Sequence, residues 1–120
     1  MTREQALKSA EAYFDDGHFL EDLKRRVAIK TESQIYECRK IDMNNYMDEM
    51  VKSFEELGYE TEVFENPSDK AGPIFFGHRH ESSSNKTVLT YGHGDVIRGQ
   101  EERWEPDLVP WELTVKNNKI

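Results

Sequence analysis

Apolar positions along the chain fall at two spacings, and the change from one to the other marks out the elements. Ala6, Leu7, Ala10, Tyr13 and Phe14 recur at helical spacing, and Asp15-Asp16-Gly17 closes that segment. Thr2 followed by Gln5 fits a capping box at its start. A second helical stretch runs from about Phe19, with Leu20, Leu23 and Val27 on one stripe, and Thr31-Glu32-Ser33-Gln34 reads as a loop. The strongest helix follows. Met43, Tyr46, Met47, Met50, Val51, Phe54 and Leu57 keep the i, i+3, i+4, i+7 pattern, and Gly58 stands where a left-handed cap is expected. Its methionines, spaced among Tyr, Phe and Val, read as core filler rather than as a soft-metal site.

Beyond Gly58 the period drops to two. Residues Tyr59 to Phe64 alternate as an edge strand, with Glu60 and Glu62 on the wet face. A loop from Asn66 to Pro73 leads to a second strand over Ile74–His80, and the polar turn Glu81 to Asn85 opens a third. That third run, Lys86-Thr87-Val88-Leu89-Thr90-Tyr91, predicts a buried strand that pairs with 74–80 as an antiparallel hairpin. It opens onto Gly92-His93-Gly94-Asp95-Val96, and an extended backbone there would put His93 and Asp95 on one face. After Val96 the chain is loop-like, with Trp104 and Trp111 flanking Pro106 and Pro110 and placed to cover such a site. Residues Glu112 to Lys116 alternate again, and Asn117-Asn118 suits a two-residue turn of positive φ. The expected returning strand has only Lys119-Ile120, which reads as a chain shorter than its fold.

Taken together, the pattern predicts an α/β class: N-terminal helices packed on a mixed β-sheet, in a single unit over 1–120. Composition narrows what that unit does. A formal net charge of -8 argues against non-specific nucleic-acid binding, and Lys24-Arg25-Arg26 reads as the solvated face of a helix. Cys38 is the only cysteine, so neither an intrachain disulfide nor a paired-cysteine zinc site can form. No apolar run approaches the roughly 18 residues of a membrane span, and a cytoplasmic setting is expected.

Candidate chemistry concentrates at the end of the third strand. His18 reads as a capping or surface residue, and His78 and His80 as a solvated strand end with no third ligand in view. A phosphate loop at Gly92-His93-Gly94 is disfavoured because Ile97 occupies the third glycine position. A nucleophile relay is disfavoured because Ser82, Ser83 and Ser84 lie in the turn at the other end of the hairpin. Metal binding fits better: an imidazole is a good zinc ligand, a neighbouring carboxylate fixes its tautomer, and flanking glycines allow close approach.

The order of a capped helix, an amphipathic helix ending Glu-Leu-Gly-Tyr, an edge strand and then Thr-Val-Leu-Thr-Tyr-Gly-His-Gly-Asp-Val resembles the M20 family of zinc metallopeptidases. That family includes dipeptidases, glutamate carboxypeptidases and N-acyl-amino-acid deacylases. Arg98-Gly99, Trp104, Pro110-Trp111, Leu113-Thr114 and Asn118-Lys119-Ile120 extend the resemblance over essentially the whole chain, as the N-terminal part of a longer, aminopeptidase-like catalytic domain. It implies that His93 is a zinc ligand and that Asp95 is the catalytic-site carboxylate orienting it. It also implies two zinc ions, a small peptide or N-acyl amino acid as substrate, and a glutamate base acting on metal-bound water. Two departures stand out. Arg98 occupies a position where many members have proline, and the segment carrying the bridging aspartate is absent, as are the base and the later ligands.

Catalytic zinc needs about three protein ligands, so these residues alone are expected to be inactive. An alternative is a non-catalytic α/β module with a structural or protein-interaction role. Under either reading an exposed sheet edge invites self-association.

Overall fold

The computed structural model describes residues 1–68 and 70–120; Asp69, in the expected loop, lies outside the described residues. In chain order the elements are helices α1 (Arg3–Asp15), α2 (His18–Val27), α3 (Tyr36–Lys40) and α4 (Asp42–Glu56), then strands β1 (Glu60–Phe64) and β2 (Ile74–His78). A single 3-10 turn follows at Glu101–Arg103. The chain divides into two compact units, one formed by Met1–Ala28 with Gln100–Ile120 and the other by Ile29–Gly99.

In the first unit α1 and α2 form a helical hairpin. The capping box is made in full: Gln5 N donates to Thr2 Oγ1 at 3.2 Å and Thr2 N to Gln5 Oε1 at 2.8 Å. Gly17, at φ 85°, reverses the chain between the helices. Across the turn Phe14 meets Phe19 with ring centroids 5.7 Å apart, and the Tyr13 hydroxyl donates to the Asp22 carboxylate. Asp22 also receives Arg25, at 2.6 Å. The basic cluster at 24–26 therefore sits in the last turn of α2, where cations complement the helix dipole, with Arg25 and Arg26 facing Asp22. At the other end of this unit Asn117 and Asn118 take φ 54° and 58°, the two-residue turn expected there. Lys116 and Lys119 pair across it through bonds of 2.9 and 3.1 Å. The strand expected over 112–116 is reduced to that one bridge.

The second unit is built on α4 and the β1–β2 ladder. At the C-terminus of α4, Tyr59 N donates to Phe54 O (3.0 Å) and Gly58 N to Glu55 O (2.9 Å), with Gly58 at φ 79°. These two bonds make a Schellman motif, and its usual apolar contact is present as Phe54 edge-on to Tyr59 at 5.0 Å. The cap delivers the chain directly into β1, which pairs antiparallel with β2 from Glu60 opposite His78 to Phe64 opposite Ile74. Phe75 on β2 turns to α4 and packs edge-on against Phe54 at 4.9 Å. Met43, near the other end of α4, is the one buried apolar residue among the described residues, with its sulfur against Gly72.

The α/β class is therefore present, as a helix on a two-stranded antiparallel sheet. The expected hairpin of 74–80 with 86–91 does not form. β2 pairs with β1 along one edge, and no described residue makes a ladder with residues 86–91. A strand needs partners for its backbone groups, so the run stays outside any sheet, with Val88, Leu89 and Tyr91 80%, 90% and 91% exposed rather than buried.

Candidate functional site

His93 and Asp95 come together as their spacing suggests, although the strand leading to them is absent. His93 Nδ1 lies 3.0 Å from Asp95 Oδ1 and 3.0 Å from the Asp95 carbonyl oxygen. Both partners are oxygens, and a backbone carbonyl can only accept. The geometry therefore requires the hydrogen on Nδ1, which leaves the Nε2 lone pair unprotonated in the neutral ring. This is the arrangement in which a carboxylate fixes the tautomer of a metal-binding imidazole. The side chains are 68% and 48% exposed, so the pair is open to water and to solutes.

What holds this exposed pair in place lies in a segment that reads as an ordinary loop. Thr31 and Glu32 are buried, at 4% and 5% exposure. Thr31 Oγ1 donates to Gly94 O at 2.6 Å, and the Thr31 carbonyl accepts from Val96 N at 2.9 Å. Ser33 N donates back to Val96 O at 3.1 Å, which completes an isolated parallel bridge between Glu32 and Val96. The Glu32 carboxylate accepts from Gly99 N at 2.8 Å through Oε1, while Oε2 meets the Cys38 sulfur at 4.0 Å. Gly94 also rests against the ring of Tyr46 from α4, so closely that a Cβ at residue 94 would overlap that ring. Thr31, Glu32 and Tyr46 escape a sequence reading because their partners are backbone groups more than forty positions away, and no local pattern encodes that.

The remaining candidates have other partners. His78 ends β2 opposite Glu60, and Ser82 to Ser84 close a polar turn. Trp111 belongs to the other unit, where its indole donates to Glu101 at 3.1 Å. Burial first, then the Asp42 side chain and the charges of Asp42, Glu32 and Glu37, push the Cys38 thiol above its ordinary range and make it a poor thiolate.

As a metal site the arrangement fits one corner. His93 offers Nε2 and Asp95 supports it, but no group of three potential ligands occurs among the described residues. Nor is any described helix long and apolar enough to cross a membrane. Comparison with protein-family models, curated proteins and solved structures returns no match to the chain.

Proposed function

We propose that this chain supplies the first metal corner of a zinc-dependent amide hydrolase of the M20 type, acting on dipeptides or N-acyl amino acids. The supporting observation is the doubly anchored Nδ1 of His93, which leaves Nε2 as the group to hold a metal. Asp95 sets the tautomer of the ring. In such a site bound zinc lowers the pKa of water and polarises the carbonyl under attack. The bridging carboxylate, the general base and the remaining ligands of the proposed site would come from outside these 120 residues. A cytoplasmic setting accords with a single free cysteine.

Calorimetric titration of zinc into the chain, with a dipeptide-hydrolysis assay alongside, tests this reading. Weak zinc binding that disappears in His93→Ala and persists when His78 and His80 are both changed to Ala is expected, without turnover. Binding indifferent to His93→Ala would remove the metal role. Tight zinc with turnover would show that the chain carries a complete site.

A second reading, a protein-interaction module, draws support from the open Val88-Leu89-Tyr91 run, whose apolar side chains are exposed and whose residues join no strand.

A further inference from the structure

Exposed His-x-Asp pairs in loops ordinarily sample many rotamers, and this one has no sheet to stiffen it. Residues 86–95 make no backbone-to-backbone hydrogen bond with any described residue. Order at the pair therefore has to be imported. It enters at three points, all from within the Ile29–Gly99 unit. The Thr31 hydroxyl holds the carbonyl of Gly94, the residue between His93 and Asp95. The Tyr46 ring fills the space that a Cβ at Gly94 would occupy. Beyond the pair, Thr31 O and Ser33 N hold Val96, and the buried Glu32 carboxylate holds Gly99.

We infer that Thr31 and Glu32 are positioning residues for the His93–Asp95 pair, a clamp that fixes the backbone at 94, 96 and 99 so that Nε2 of His93 is presented in one tautomer. The inference rests on reading His93 and Asp95 as the site, and deepens it by assigning what aims them. Burial of Glu32 supports the assignment. A carboxylate removed from water is costly unless it is hydrogen-bonded. Here the main hydrogen bond is charge-assisted and goes to the far end of the site loop. Thr31 acts at closer range. The φ and ψ of residue 94 set the relative direction of the side chains at 93 and 95, and the Thr31–Gly94 bond with the Tyr46 ring leaves that residue little freedom. The hydrogen bonds of Thr31 and Glu32 go to the backbone at Gly94 and Gly99 and not to the imidazole, so both act through the backbone.

The test reads the imidazole directly and involves no metal, which separates it from the zinc reading. Long-range 15N–1H correlation of the metal-free chain resolves the tautomer of each of its 4 histidines. Wild type is expected to show His93 as the Nδ1–H form. Thr31→Val, which removes the hydroxyl but keeps the shape, is expected to shift His93 toward the tautomer mixture of a free imidazole. Thr31→Ser, which restores a hydroxyl, should recover the wild-type pattern. His18, His78 and His80 should not change in either variant, whereas a merely structural defect would lower the melting temperature without singling out His93. Glu32→Gln should give a smaller shift in the same direction. An unchanged His93 tautomer in folded Thr31→Val overturns the proposal. So does loss of the fold in both Thr31→Val and Glu32→Gln, because the pair would then hold the unit together rather than aim the ring. Failure of zinc to bind a correctly ordered His93 would instead count against the proposed function alone.

Discussion

Two runs in the Ile29–Gly99 unit carry nearly the same strand signal and meet opposite fates. Residues 74–78 become β2, laddered to β1 and packed on Phe54 of α4. Residues 86–91, with Val88, Leu89 and Tyr91, remain outside any sheet and open to solvent. The contrast separates what patterning decides from what pairing decides. Alternation fixes which face of a segment is apolar, but a strand exists only where another strand meets its backbone groups. β2 has that partner because the Schellman cap at Gly58 turns the chain from α4 straight into β1. For the second run, Thr31, Glu32 and Ser33 take hold past its end, at Gly94, Val96 and Gly99.

Substitutions on the two sides of this contrast should therefore differ in cost. Phe54→Ala removes the ring that joins Tyr59 and Phe75, and should destabilise the chain by about 3 kcal/mol in denaturant unfolding. A cost near zero would mean that α4 does not organise the sheet. Gly94→Ala should cost about 1–3 kcal/mol, because the new methyl has to displace the Tyr46 ring. Equal stability with an unaltered His93 would show that the ring does not confine residue 94. Gly58→Ala forces a side chain into positive φ and should cost about 1 kcal/mol by the same measurement. Leu89→Lys, in the open run, should stay within about 0.5 kcal/mol of wild type. A larger loss would place Leu89 in a packed environment, and the contrast would collapse.

The smallest effect concerns pH. The Cys38 thiol is raised in the folded chain, so its neutral form is favoured there relative to the unfolded chain. Its contribution to stability is complete below the ordinary thiol pKa and fades as pH climbs through the raised folded value. Cys38→Ser should therefore flatten part of the alkaline arm of a stability-versus-pH curve. An arm of unchanged shape would contradict the assignment.

Much of the architecture was legible in local pattern. The Thr2 capping box, the α4 stripe closed by Gly58, the alternating β1 and the Asn117-Asn118 turn all depend on neighbours within a few residues. The pair at His93 and Asp95 was legible for the same reason, being two positions apart. The absence of a ladder between β2 and 86–91 was not, because an apolar, strand-like run does not specify what its backbone pairs with. Thr31, Glu32 and Tyr46 were hidden altogether. Their roles depend on distant backbone groups at Gly94 and Gly99, and Thr-Glu-Ser has the composition of any polar loop.

The proposed metal role of His93 rests on Nδ1 being tied to Asp95, which leaves Nε2 as the group to bind. Zinc titration followed through the imidazole 15N resonances tests it most directly. Nε2 of His93 is expected to shift first, ahead of His18, His78 and His80, and Asp95→Ala is expected to blunt that response. A titration in which His78 and His80 respond first, with His93 unmoved, would contradict it.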